Sequence, residues 1–220
     1  MKTRGGRFIA WASSLVLLVG VALVASAPSA DADCGGRFPA TGQTTCWDSG
    51  GGNISCTGTG QDGDIQAGKT LRYQDNGDGT IKDKVTGLTW EKKSDDGSIH
   101  DKDTLYTWAN AFAVHIADLN TANFAGHNEW RLPNVKELQS IVDYETFSPA
   151  VDPVFDTDCA ASCTVLTCSC TQASGYWSSS TWAGDPTVAW FVHFYAGNVL
   201  ANYKSPNFAF VRAVRGGCVD

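Results

Sequence analysis

The chain has 220 residues, 43% of them hydrophobic and 18% charged, with a formal net charge of −7. This composition describes a folded globular protein, and the 23 glycines follow no three-residue period, which excludes collagen. The acidic balance disfavours non-specific binding to nucleic acid or to anionic membranes, and the eight tryptophans and ten phenylalanines supply enough apolar surface for one core.

In chain order, residues 1–32 read as a signal peptide. Lys2, Arg4 and Arg7 form a basic n-region, Ile9 to Val24 is nearly all apolar, and Ala30-Asp31-Ala32 is an A-x-A signal that places cleavage after Ala32. The apolar run is shorter than the ~20 residues a single span needs, so no stable membrane span is expected after cleavage. Cys34 follows Asp33 rather than a small residue, which argues against a lipid anchor. The expected destination is the periplasm, the outer surface or the medium. All eight cysteines (Cys34, Cys46, Cys56, Cys159, Cys163, Cys168, Cys170 and Cys218) follow the cleavage point, and an even count in an exported chain reads as disulfides. The spacing of the four from Cys159 to Cys170 is not that of a zinc ribbon. The pairing stays open: Cys46 with Cys56 would close a small loop, the four would pair among themselves, and Cys34 and Cys218 would join the ends.

Residues 33–69, rich in Gly, Thr, Asp and Ser, read as an irregular, disulfide-held lead-in to a domain over 70–217. From Leu71 to Glu91 the pattern is paired strands around the turn Asp75-Asn76-Gly77-Asp78-Gly79, Asn-Gly and Asp-Gly being strong hairpin signals. Aligned as a calcium loop, that turn lacks its charged ends, which fall on Gln74 and Val85, so a structural turn is the reading. Residues 92–103, KKSDDGSIHDKD, read as a solvated charged loop. A first helix is expected near 107–119, capped by Thr107, with Trp108, Phe112, His115, Ile116 and Leu119 on one face and His115 as a core residue rather than a ligand. A second is expected near 134–143, where Asn134 and Glu137 stand in capping-box positions and Val135, Leu138, Ile141 and Val142 recur at helical spacing. The cysteine-rich loop 156–175 is expected to hold itself together with its own bridges. Strands follow at Tyr176–Thr181, Val188–Tyr195, which is apolar on both faces and therefore central, and Val199–Tyr203, with Phe208–Arg215 closing the sheet.

No catalytic motif appears: there is no G-x-S-x-G, no H-E-x-x-H, no phosphate-binding glycine loop and no dinucleotide fingerprint. His100, His115, His127 and His193 have no metal spacing, and Asp152, Asp156 and Asp158 read as surface acids. A non-catalytic chain without cofactor or metal is the expectation. Candidate ligand contacts are Trp182, Asp185, Asn198, Asn202 and Tyr203, because flat aromatics beside amides suit the apolar faces and hydroxyls of sugar rings. Sheet-edge packing is the alternative role for Trp182 and Tyr203.

The succession DNGDGTIKDKVTGLTWEK, AGHNEWRLPNVKELQSIVDY, YWSSST, AWFVHFYAGNV and FVRAVRGG resembles the Lcl C-terminal domain family over roughly residues 70–217. The resemblance implies an α+β, C-type-lectin-like fold: two helices packed on a twisted antiparallel sheet, stabilised by disulfides. It further implies binding at cell surfaces, in a collagen-stalked member to sulfated polysaccharides; this chain has no stalk and is acidic. The expected function is an exported binding module for a glycan or surface protein, using loops of the C-terminal sheet. The alternative is a structural or assembly protein of the bacterial envelope that docks a protein partner.

Overall fold

The computed structural model describes residues 38–217. The signal segment, Cys34 and Cys218, and with them the proposed Cys34–Cys218 bridge, lie outside the described residues. The architecture is α+β, with short helices, antiparallel sheets and three disulfides among the described residues. Where one sheet was expected, the strands divide into three.

The lead-in carries a two-residue ribbon of β1 (Cys46–Trp47) and β2 (Asn53–Ile54), closed by the Cys46–Cys56 disulfide, and a single helical turn α1 (Asp62–Ile65). It is tied to the domain by hydrogen bonds. The Thr44 amide donates to Glu145 Oε2 at 2.9 Å and the Tyr144 amide to the Thr41 carbonyl at 2.8 Å.

The first domain sheet orders β3 (Tyr73–Asp75), β4 (Thr80–Asp83), β5 (Leu88–Glu91) and β9 (Val214–Gly216) as β3-β4-β5-β9, all antiparallel. The hairpin expected at Asp75–Thr80 is present. Its carboxylates are engaged by the turn itself: Asp75 accepts from the Gly77 amide and from Lys92 Nζ at 2.7 Å, and Asp78 accepts from the Thr80 amide and hydroxyl. These are Asx-turn bonds of the kind that fix a tight reversal.

The second sheet orders β6 (Gly175–Thr181), β7 (Val188–His193) and β8 (Asn198–Tyr203), with β7 central as its two apolar faces require. The register Tyr176↔Val192 and Trp177↔Phe191 sends alternate residues to opposite sides. Tyr176, Val192 and Phe194 join a core with Ile81, Trp90, Leu138, Ile141, Phe155 and Val214. Trp177, Ala189 and Phe191 join another with Ala111, Leu119, Trp130 and Val211. At the β7–β8 turn, Gly197 has φ 76° and a Cβ there would lie 2.4 Å from Val142 Cγ1, so this hairpin tip packs where only glycine fits.

The first helix begins as expected at the Thr107 cap, whose Oγ1 accepts from the Asn110 amide. It runs as α2 (Trp108–Asn110), a π-helical stretch Ala111–Ile116 and α3 (Ala117–Thr121). The wide turn lets Ala111, His115, Ile116 and Leu119 all be buried while Val114 stays exposed. The second helix, α4 (Val135–Gln139), has the complete capping box: Asn134 Oδ1 accepts from the Lys136 and Glu137 amides, and Glu137 Oε2 accepts from the Asn134 amide at 2.8 Å. It is shorter than the expected 134–143 because the chain turns at Ser140, yet Leu138, Ile141 and Val142 are buried as their spacing implies.

Two readings are corrected. Phe208–Arg215 does not close the C-terminal sheet. Phe210 bridges to Tyr176 beside β6, the chain then crosses, and Val214–Gly216 pairs with β5 in the other sheet. The crossing point is occupied by Arg212, which is fully buried and bonds to loop carbonyls instead of facing solvent. The stretch 92–103 is likewise not a solvated loop throughout: Lys92, Lys93, Ser94 and Asp101 are buried. β5 carries the chain directly into the core there, and each lysine finds an acid, Lys92 with Asp75 and Lys93 with Glu91. In the loop after β5's partner elements, the bridges Cys159–Cys170 and Cys163–Cys168 bear out pairing within the cluster of four. That loop is less exposed than its composition suggests, since Cys168 to Thr171 are buried.

Candidate recognition face

Along β6, β7 and β8 the face that carries Tyr176 and Val192 also carries Val188 and Trp190 from β7, and Val199, Ala201 and Tyr203 from β8. An irregularity between Trp177 and Thr181 shifts β6, so that Trp182 arrives opposite Val188, its amide donating to the Val188 carbonyl at 3.0 Å. The inner half of this face is covered, with α4 packed against β6 and β7. The outer half is not. There Trp182, Val188, Trp190, Ala201, Asn202 and Tyr203 line an open depression of about 390 Å³. Trp182 is 40% exposed and Tyr203 57%, while Val188 between them is 6% exposed. Two large rings thus flank a low apolar floor, their strands two strand spacings apart, roughly 10 Å.

The opposite face is closed at the same level. Lys204 Nζ lies 4.0 Å from the centre of the Trp108 ring and donates to Thr181 Oγ1 and to the Pro186 carbonyl. The Trp108 indole donates to the Ser178 carbonyl. Asn202, which pairs with Ala189, belongs to this opposite face by the strand alternation; its Oδ1 accepts from Asn207 Nδ2 at 2.8 Å and from the Tyr203 amide.

Of the residues expected to bind, Trp182, Asn202 and Tyr203 meet at the depression. Asp185 sits in the β6–β7 turn, where its carboxylate accepts from the Thr187 hydroxyl and amide, and those bonds lower its pKa. Asn198 pairs with His193 at the far end of β8, roughly 16 Å along the strand from Tyr203, and does not reach the depression. Trp190, Val188 and Ala201 were missed as contacts. The alternation of β7 and β8 would have found them once Trp182 and Tyr203 were placed on one face.

A second group of functional side chains lies inside. Glu91, fully buried, takes Lys93 Nζ at 3.3 Å and His100 Nδ1 at 2.8 Å on Oε1, and His115 Nε2 at 2.9 Å and the Ala213 amide at 2.9 Å on Oε2. Burial alone would raise the Glu91 carboxyl, but His115, Lys93 and His100 outweigh it and hold it well below the usual carboxylate range. Burial lowers both the His115 imidazole and the Lys93 ammonium. Arg212 donates to the carbonyls of Glu91 and Cys170 and to the Thr171 hydroxyl, its guanidinium 5.3 Å from the Phe155 ring centre. His115 is therefore the core histidine expected, with Glu91 as its partner. This cluster has the residue types of acid–base chemistry but is enclosed by β5, the π-helical turn, the crossing segment and the disulfide loop.

Among the described residues, two groupings have metal-ligand character, and each has internal partners. Cys159, Cys163 and Cys170 are consumed by disulfides. Asp95, Asp101 and Asp103 converge, but Lys102 Nζ is 2.8 Å from Asp103 and 3.5 Å from Asp95, and Asp101 accepts from the Gly97 and Asp103 amides. Among the described residues no helix is long and apolar enough to cross a membrane.

No curated protein matches this chain. The family model described as the Lcl C-terminal domain matches residues 79–215, which run from the β3–β4 turn into β9 and take in β4 and β5 of the first domain sheet, all of the second, α2 to α4 and the uncovered face. That is more than half of the chain, and the chain belongs to the Lcl C-terminal domain family.

Proposed function

We propose that this chain is an exported, non-catalytic recognition module that binds a glycan on the outer half of the β6–β7–β8 face. The carrying observation is the uncovered aromatic depression, where Trp182, Trp190 and Tyr203 surround Val188 and Ala201. Aromatic rings stack on the C–H faces of sugars. The disulfides suit an oxidising compartment outside the cytoplasm. Membership in the Lcl C-terminal domain family supports placement at the envelope or beyond it. A lectin-like arrangement of the second sheet belongs to the same reading. The absence of catalysis is part of this proposal and is supported by the burial of Glu91, His115 and Lys93.

The test is a glycan array with the oxidised chain from residue 33, run with calcium and then with chelator. Saturable hits that survive chelation and are lost in Trp182→Ala and Tyr203→Ala, with both variants folded, are the expected result. Variants that bind like the parent chain would place recognition elsewhere. An empty array from folded protein would shift the reading to an envelope assembly role with a protein partner.

A further inference from the structure

We infer that the depression between Trp182 and Tyr203 takes an uncharged hexopyranose chain and excludes sulfated ones, an inference that rests on the glycan reading above. None of the six residues lining it carries a charge. The cation next to it in sequence, Lys204, is held on the other side of the sheet by Thr181, the Pro186 carbonyl and the Trp108 ring. The nearest ionised group on the adjoining turn is an acid, Asp185, kept charged by its bonds to Thr187, and the chain as a whole carries −7.

A sulfate group is recognised through charge-assisted bonds from arginine or lysine. Seating one against indole and phenol rings without such a partner leaves a desolvated anion uncompensated. A neutral pyranose with equatorial hydroxyls has no such cost. Its C–H face meets the rings and the Val188 floor, and its rim hydroxyls stay in water.

The experiment is titration calorimetry of the oxidised chain from residue 33 with cellohexaose and with a heparin-derived sulfated hexasaccharide. Each is run near 50 mM and near 500 mM salt, on the parent chain and on Tyr203→Ala, with thermal melts confirming the fold. Saturable binding of cellohexaose is expected, with affinity changing by less than about twofold between the two salts and falling about tenfold in Tyr203→Ala, and no binding of the sulfated chain. Tight binding of the sulfated chain that collapses with salt and is weakened by Tyr203→Ala would overturn the charge assignment and leave the recognition face standing. Binding of either sugar that Tyr203→Ala does not touch, or binding of neither, would overturn the face and this inference together.

Discussion

The Glu91 cluster and the outer face of the β6–β7–β8 sheet reverse the usual distribution of side chains. Inside, Glu91, Lys93, His115 and Arg212 are buried ions and imidazoles; outside, Trp182 and Tyr203 are exposed rings. The difference lies in what each side chain has as a partner. Each oxygen of Glu91 accepts two hydrogen bonds, and Arg212 is satisfied at both terminal nitrogens. The rings have an apolar floor and no cover. A buried network of charges, bonded at both Glu91 oxygens and both Arg212 terminal nitrogens though not at His115 Nδ1 or Arg212 Nε, ties together the segments that meet there, β5, the π-helical turn, the crossing segment and the disulfide loop. An unsaturated apolar face leaves free energy to be gained by binding. In the proposed reading, the reactive residue types serve the scaffold and the exposed aromatic ones the recognition surface.

The largest effect is expected from Glu91→Gln. Removing this anion leaves Lys93 buried without its ion-pair partner and Arg212 with less counter-charge, and a loss of about 3–5 kcal/mol in denaturant melts is predicted. A loss under about 1 kcal/mol would mean that water reaches the cluster and that it is no scaffold. Next comes the roof of the cluster. Cys159→Ser with Cys170→Ser should cost about 2–4 kcal/mol by removing the bridge beside the carbonyl that Arg212 uses.

The third prediction concerns acid. Burial lowers the His115 pKa in the folded chain, with Glu91 opposing, whereas in the unfolded chain it protonates near its ordinary value of 6.5. Its contribution is present above about pH 6.5 and is lost progressively as pH falls from there through the lowered folded value, with a slope of up to about 1.4 kcal/mol per pH unit. The contribution of Glu91, whose folded value is depressed, is lost only lower, as pH falls from the carboxylate range through that depressed value. Stability curves should bend near pH 6.5 in the parent chain and not in His115→Gln; a bend retained in the variant would assign it to another group. Asn134→Ala, which removes the capping box at α4, should cost about 1 kcal/mol, because that helix supports the covered half of the recognition sheet. Smallest in stability is Tyr203→Ala, within about 0.5 kcal/mol in melts because its ring is mostly exposed, although it should abolish recognition.

Much of the frame was legible in local signals. The capping box at Asn134 and Glu137, the Thr107 cap, the Asp75–Thr80 hairpin and the central position of β7 all follow from short-range chemistry, and each is present. What escaped depends on contacts between residues far apart in sequence. The charges of Lys92 and Lys93 resemble a solvated loop because their ion pairs, with Asp75 and with Glu91, are buried only by the fold. Phe208–Arg215 alternates like one strand, yet the buried bonds of Arg212 divide it between two sheets. Residue type alone picks Trp182, Asn202 and Tyr203, which line one depression, but it carries no register, and the pairing of β8 with β7 separates Asn198 from them.

The most direct measurement is an NMR titration of the oxidised chain with a sugar that binds, followed through the tryptophan indole N–H signals. If the outer face is the recognition surface, the indoles of Trp182 and Trp190 will shift with saturation. Those of Trp108 and Trp177, which donate to the Ser178 and Tyr106 carbonyls, will stay in place. Shifts confined to residues away from the depression, with Trp182 and Trp190 unmoved, would contradict the assignment.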